Sequence, residues 1–294
     1  MLPKVSVIIC TYNRLDLLKK TVQSVLDQDF QEWELIVVNN NSQDGTEAYV
    51  QGVAEIEPRV KYVLETKQGL SYARNRGAEM AQTNILAYLD DDEEAEKDWV
   101  RNIYETFQAV PNVGVVGGPM VLQDKEKIKW WISPKLYSIL GDFQLAATED
   151  IWDIGDNSIV GGNMSVSKEA WAKIGGFAVE QGRKGSVLLA DEDVIICKEA
   201  YRLGYRIIYN RKVGIRHALI PDRMTSAYFF RNARGLAKTR AKAGKQVSYL
   251  AECLYRIIKL PFDCILRPRH CFFSVWRIYT AYYKFIYSFQ CVAK

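Results

Sequence analysis

Between residues 4 and 118, short β-branched runs recur without the in–out alternation of a half-solvated strand: "KVSVIICTYN", "ELIVVNNNSQDGT", "VKYVLE", "ILAYL" and "VGVVGG". A strand that is apolar at nearly every position must be covered on both faces, which is the condition of a parallel sheet sandwiched by helices. The intervening segments have helical periodicity. Leu18, Val22, Val25 and Leu26 fall on one face of the stretch from Leu15 to Leu26, as a helix packing on a sheet requires. Further helices are expected near 46–55, over "SYARNRGAEMAQ" and from about Asp98 to Ala109. Strand and helix in turn over the first 120 residues specify an α/β chain with a Rossmann-like, mostly parallel, doubly wound sheet.

Ligands of such sheets bind beyond the carboxyl ends of the strands. Here "TYNR", "NNNSQDG" and "DDD" each follow a strand directly, so three polar clusters distant in the chain are expected to converge on one crevice. The third cluster, Asp90, Asp91 and Asp92, places three like charges in a row, and these repel unless a cation or water relieves them. A hard, oxygen-seeking divalent ion, Mg²⁺ or Mn²⁺, answers that need and bridges readily to phosphates. On residue chemistry alone the alternative is a solvated acidic turn leading into a helix whose N-terminus favours acid.

Beyond residue 120 the pattern loosens. "KWWISPKLYSILGDF" reads as an amphipathic surface or lid segment, "SIVGGNMSVS" as a strand broken by glycines, and "KEAWAKIGGF" as a helix stopped by Gly175 and Gly176. "LLADEDVIICKEAYRLGYRIIYN" reads as an acidic loop, a helix closed by Gly204 and a strand. Charge is divided along the chain: residues 1–193 carry 19 Lys/Arg against 31 Asp/Glu, and residues 194–294 carry 20 against 4. A basic region of that kind points to an anionic partner such as a membrane surface or a phosphorylated substrate. Nucleic acid is not expected, because no recognition-motif spacing is present.

From residue 226 onward the chain reads as a basic, aromatic-rich helical tail. Arg277 and Lys284, seven apart, share a helical face while aromatics crowd the rest, the pattern of a helix lying in a membrane interface. The alternative is packing on the catalytic domain or dimerisation. No run approaches the ~20 apolar residues that span a bilayer. Six cysteines without paired spacing, and a start lacking a secretory pattern, suggest reduced thiols and a cytoplasmic protein, peripheral on the cytoplasmic face of the membrane.

Six motifs, "VSVIICTYNR", "ELIVVNNNSQDGT", "KQGLSYARNRG", "ILAYLDDDEE", "GGNMSVSKEAWAKIGGF" and "DEDVIICKEAYRLGYRIIY", occur in order over roughly residues 4–217. In sequence and spacing they resemble family 2 glycosyltransferases, inverting enzymes of the A-type glycosyltransferase fold. The resemblance implies a single such domain over 1–225, with a nucleotide-binding half at 1–120 and an acceptor-binding half at 121–225, followed by the helical tail at 226–294. It implies that Thr11, Tyr12 and Arg14 line the nucleoside pocket and that Arg74 and Asn75 lie on the base and ribose side. Asp90 and Asp92 match the DxD pair, Asp90 on ribose or metal and Asp92 on the cation, with Asp91 between them also on the donor. Asp193 matches the general base, against the alternative, from spacing alone, of a helix N-cap with Asp191 and Glu192 favouring the dipole, and Gly161, Gly162 and Asn163 match the small-residue stretch beneath the donor sugar.

His217 follows a strand in "VGIRHALIP". A neutral imidazole suits a Mn²⁺-like ion, although a lone histidine is more often structural. Trp130 and Trp131 are candidates for sugar stacking, against the commoner role of packing. Asn39 departs from the family, which has Asp there to accept from uracil. An amide oxygen still accepts, without charge, so the base is left open. Asp44 is expected to cap the following helix.

The activity implied is inverting transfer from a nucleoside-diphosphate sugar to a hydroxyl of a glycan or polyprenyl-linked acceptor. Two alternatives stand beside it: a catalytically silent, membrane-associated binding protein of the same fold, and a sugar nucleotidyltransferase, whose early glycine-rich loop is missing from "CTYNRLD".

Overall fold

The computed structural model describes residues 2–146, 149–179, 192–240, 246–266 and 268–290. In chain order the elements are β1 (Val5–Thr11), α1 (Leu15–Leu26), β2 (Trp33–Asn39), α2 (Thr46–Ile56), β3 (Val60–Leu64), α3 (Leu70–Met80), β4 (Ile85–Asp90), β5 (Glu93–Ala95), α4 (Trp99–Ala109), β6 (Val113–Gly117) and β7 (Met120–Leu122). Then follow α5 (Tyr137–Leu140), β8 (Ile151–Asp153), β9 (Asn163–Ser167), α6 (Lys168–Ile174), α7 (Glu192–Arg202), β10 (Arg206–Asn210), β11 (Ile215–His217), α8 (Ser226–Arg240), α9 (Gln246–Leu266) and α10 (Pro268–Gln290).

Eight strands form one sheet in the order β3-β2-β1-β4-β9-β6-β10-β8. β1 to β4 run parallel to one another, as β6 and β10 do, β9 runs antiparallel between β4 and β6, and β8 is an antiparallel edge on β10. The sheet is therefore mixed but mostly parallel, as the uniformly apolar runs require. β2 is buried at every position, with α1 and α4 contributing to the core on one face and α3, α6 and α7 on the other. In register, Thr11 lies opposite Asn39 and Cys10 opposite Asp90, so the polar ends of β1, β2 and β4 stop at one edge.

The acidic stretch does not run straight into a helix. Glu93–Ala95 is a strand, paired antiparallel with β11 so that Glu93 faces His217, in a small sheet of order β5-β11-β7. The glycines of "SIVGGNMSVS" precede β9 and do not interrupt it. Gly175 and Gly176 do stop α6, with φ of 86° and 79°, left-handed values that glycine tolerates best.

The chain divides into two compact units. The first comprises the described residues of 1–121, 143–185 and 191–218 and holds both sheets, apart from Leu122 at the end of β7. The second comprises those of 122–142 and 219–294. Within it, Leu122, Ile132, Leu136, Leu140, Met224 and Phe229 form a separate core, so the lid-like segment is part of the helical unit. Trp131 packs edge-on to Phe229 and Phe272, whereas Trp130 is exposed. Aromatics of α10 turn inward: Tyr279 meets Phe230, and Arg234 Nε donates to the Tyr287 hydroxyl at 2.8 Å. Their expected interfacial face is thus partly a packing face. Cys10, Cys197 and Cys253 are free thiols, while Cys271 is disulfide-bonded, against the expectation of reduced thiols.

Candidate active site

The site is assembled at the edge where β1, β2 and β4 end. Asp90, the last residue of β4, accepts from Arg74 Nη2 at 2.9 Å. Arg74 is buried on α3 and its Nη1 donates to Glu192 Oε1 at 3.2 Å. Burial alone would make the guanidinium easier to deprotonate, but Asp90 and Glu192 more than reverse that, so a fixed cation ties β4 to the start of α7. A Cβ on Gly161 would stand 2.8 Å from Arg74 Nη1 and one on Gly162 2.2 Å from Glu93 Oε1. The two glycines thus make room for the charged side chains themselves.

Asp91 accepts from Thr11 Oγ1 at 2.8 Å and from Arg14 Nη1 at 2.8 Å. The same Arg14 nitrogen donates to Asp92 Oδ2 at 3.0 Å. Burial pushes Asp91 up to about 6, with Arg14 opposing and Asp92 adding to the rise. Behind them lies Glu93, buried, its Oε2 accepting from the Asp90 N–H at 2.9 Å. Burial, then Asp90 and Asp92, raise its carboxyl well above the usual range.

His217 arrives from β11. Its Nε2 lies 3.6 Å from Asp92 Oδ1 and its Nδ1 is 2.8 Å from the Ala218 carbonyl. A carbonyl only accepts, so Nδ1 carries the proton in the neutral ring and the Nε2 lone pair is turned toward the carboxylates. Asp92, Glu93 and His217 each offer a ligand atom within 4.8 Å of the others. Two oxygens and an imidazole nitrogen suit a Mn²⁺-like ion.

Asp193, in the first turn of α7, accepts from the Gly161 N–H at 2.9 Å through Oδ2 and from the Val194 N–H at 2.7 Å through Oδ1. Asp191 lies outside the described residues. Thr11, Asp91, Arg14, Asp92 and His217 are joined by direct side-chain contacts, Arg74 joins Asp90 to Glu192, and Asp193 is held by backbone N–H groups alone. Tyr12 is nearly half exposed beside it.

Three further residues of the expected site make hydrogen bonds within the chain. Asn39 accepts from the Ser42 N–H and donates to the Tyr62 hydroxyl, which turns the loop after β2. Asn75 donates to the Phe177 carbonyl at 2.9 Å and accepts from the Phe177 N–H at 2.8 Å, pinning the chain after α6. Asn163 accepts from Trp99 Nε1 and donates to the Val213 carbonyl, deep between α4 and the β10–β11 turn. Sequence reasoning passed over Glu93 and Glu192. Their signal was present, since both adjoin the acidic motifs, but it was absorbed there as helix-start acid.

The sequence profile described as glycosyl transferase family 2 matches residues 6–173. The chain belongs to this family. Among relatives of this glycosyltransferase, the glucosyl-dolichyl phosphate glucuronosyltransferase of Haloferax volcanii is 28% identical over 223 residues, 75% of this chain and 71% of that one. The GalNAc(5)-diNAcBac-PP-undecaprenol β-1,3-glucosyltransferase of Campylobacter jejuni is 41% identical over 95 residues, 32% of this chain and 31% of the other. The solved mannosyltransferase PcManGT from Pyrobaculum calidifontis, in complex with GDP-Man and Mn²⁺, superposes with a TM-score of 0.60 at 21% identity, covering 100% of this chain and 75% of that one. TarS residues 1–349 of S. aureus gives 0.58 at 18% identity, over 80% and 64%. These two likenesses establish the A-type fold.

Proposed function

We propose that this chain is an inverting glycosyltransferase that moves a sugar from a nucleoside diphosphate to a hydroxyl of a saccharide carried on a polyprenyl phosphate or diphosphate, with a divalent cation at Asp92. The observation that carries the reading is the meeting of Asp92, Glu93 and His217 within 4.8 Å at the sheet edge, in one network with Arg74 and Asp90. Asp92 and His217 would hold the cation, with Glu93 behind them and Asp90 toward the ribose. When bound, the cation neutralises charge that builds on the leaving diphosphate.

The remaining chemistry belongs to side chains. Inversion requires attack from the face opposite the leaving group, so a base must stand ~3 Å from the acceptor hydroxyl on the far side. Asp193 takes that proton. Its carboxylate is aimed by the Gly161 and Val194 N–H groups, and each oxygen keeps lone-pair capacity to accept once more. Arg74 holds Asp90 in place through its 2.9 Å contact. Relatives named for a dolichyl phosphate and for an undecaprenyl-linked acceptor support the acceptor class, and the basic helical unit supports peripheral contact with the membrane that presents it.

Calorimetric titration with UDP, GDP, CDP and dTDP, each with and without Mn²⁺, tests the donor side, GDP first because a solved neighbour holds GDP-Man. One nucleotide should bind only with metal, and Asp92→Asn should lose it. In transfer assays with that donor, Asp193→Asn should bind the nucleotide normally yet lose about a thousandfold or more in turnover. Retention of turnover would remove Asp193 from the role of base.

A further inference from the structure

Arg14 stands where a metal-bound carboxylate would be expected to look outward. Its Nη1 spans Asp91 Oδ1 at 2.8 Å and Asp92 Oδ2 at 3.0 Å. The two carboxylates are nearly closed off, their side chains 7% and 3% exposed, while that of Arg14 keeps 32%. The cation is thus the partner with a way out to solvent. Arg14 sits just before α1 with φ of −144° and no side-chain cap to make, so its side chain is not committed to the helix.

We propose that Arg14 is the resident counter-cation of the metal site and that a divalent ion binds by displacing it. This inference rests on the metal reading of Asp92. Arg14 holds Asp92 Oδ2 at 3.0 Å while Oδ1 looks toward His217 Nε2 at 3.6 Å; a divalent ion taken up on Oδ1 would share one small carboxylate with the guanidinium, and Coulomb repulsion between two cations at that range is large in a poorly solvated site. The swap keeps the charge on the two aspartates compensated in both states. It also makes metal uptake a competition: the ion has to replace two charge-assisted contacts, and the freed guanidinium needs a new anion. A nucleoside diphosphate entering with the metal supplies one. Metal and nucleotide then bind with positive coupling, reciprocal between them, and Arg14 is the residue through which the coupling passes. Thr11 stays on Asp91 and keeps that carboxylate oriented during the exchange.

The test is Mn²⁺ binding to the full chain without nucleotide, read from the electron paramagnetic resonance of free Mn²⁺. Arg14→Ala should bind Mn²⁺ about tenfold more tightly than the unaltered chain, the factor expected when one competing cation is removed. Arg14→Lys, which keeps the charge, should stay within about twofold of the unaltered chain, and GDP should enhance Mn²⁺ binding less in Arg14→Ala. Equal or weaker binding by Arg14→Ala would overturn the proposal, because Arg14 would then be organising the carboxylates for the ion. Tightening by Arg14→Lys as large as that by Arg14→Ala would overturn it as well, since charge would not be the competitor. Asp92→Asn should abolish binding in every background. If it does not, the metal reading has failed separately. Should Arg14→Ala fail to fold, Arg14→Gln keeps much of the side chain's length and hydrogen bonding without charge and should show the same tightening.

Discussion

Asp44 accepts from the Leu15 N–H at 2.9 Å and from Thr46, through its N–H at 3.3 Å and its hydroxyl at 2.6 Å. One side chain thereby satisfies the otherwise orphaned starts of α1 and α2. Partial burial would raise its pKa, but the Thr46 hydroxyl and the N–H groups of Leu15 and Thr46 hold it below the ordinary aspartate value. A depressed folded-state pKa contributes stability above the unfolded pKa that is lost as pH falls through the folded one. Asp44→Ala should therefore cost about 1–2 kcal/mol at pH 7, and urea melts repeated in acid should show the two proteins converging as that carboxylate protonates. Asn75→Ala should cost about 2 kcal/mol by leaving both Phe177 backbone groups without their partner, measured the same way. At this scale the charged residues were legible, because three aspartates after a strand need a counter-charge whatever the fold. The asparagines were not. An amide serves a ligand or a backbone equally well, and the backbone bonds that Asn39, Asn75 and Asn163 make depend on partners that the sequence does not place beside them.

Among elements, α1 was expected from Leu15 to Leu26 and spans those residues, since a four-residue apolar spacing admits one register. β5 escaped detection because Glu93 and Glu94 are poor strand formers, and cross-strand pairing with β11 overrides their preference. The reversed direction of β9 was equally hidden, because a run buried on both faces reads alike in either sense. The turn that brings β11 to β5 depends on Gly118: a Cβ there would lie 2.1 Å from the Val213 carbonyl oxygen and 2.5 Å from that of Asn210. Both obstacles are backbone and cannot rotate away. Gly118→Ala should cost about 3 kcal/mol or more. A thermal melt would register it, and Mn²⁺ affinity should fall too as His217 is shifted. A melt within a degree of the unaltered chain would mean that the β10–β11 turn yields more easily than its packing suggests.

For the molecule as a whole, charge and apolar exposure converge on the helical unit. Leu250, Leu254 and Ile257, spaced to share one face of α9, are 42%, 52% and 48% exposed, and no helix among the described residues is long and apolar enough to cross a membrane. The peripheral membrane contact proposed above would set these side chains against lipid. Co-sedimentation with phosphatidylglycerol vesicles should occur at low salt and weaken as salt rises. Replacing the three side chains by serine should reduce it at least tenfold while Mn²⁺ binding is retained, and unchanged sedimentation would remove α9 from the contact. The two-unit division itself was only partly legible, because the 122–142 segment joins the helices through a core built from residues 100 or so positions away. The place of β9 between β4 and β6 has a further consequence for a chain leaving the ribosome. β1 to β4 can condense as soon as they are made, yet β4, apolar along its length, has a bare edge until residues 163–167 arrive to cover it. Residues 1–120 released alone should aggregate instead of serving as a minimal nucleotide-binding domain, and nascent chains pass through that same sticky interval before His217 has been translated.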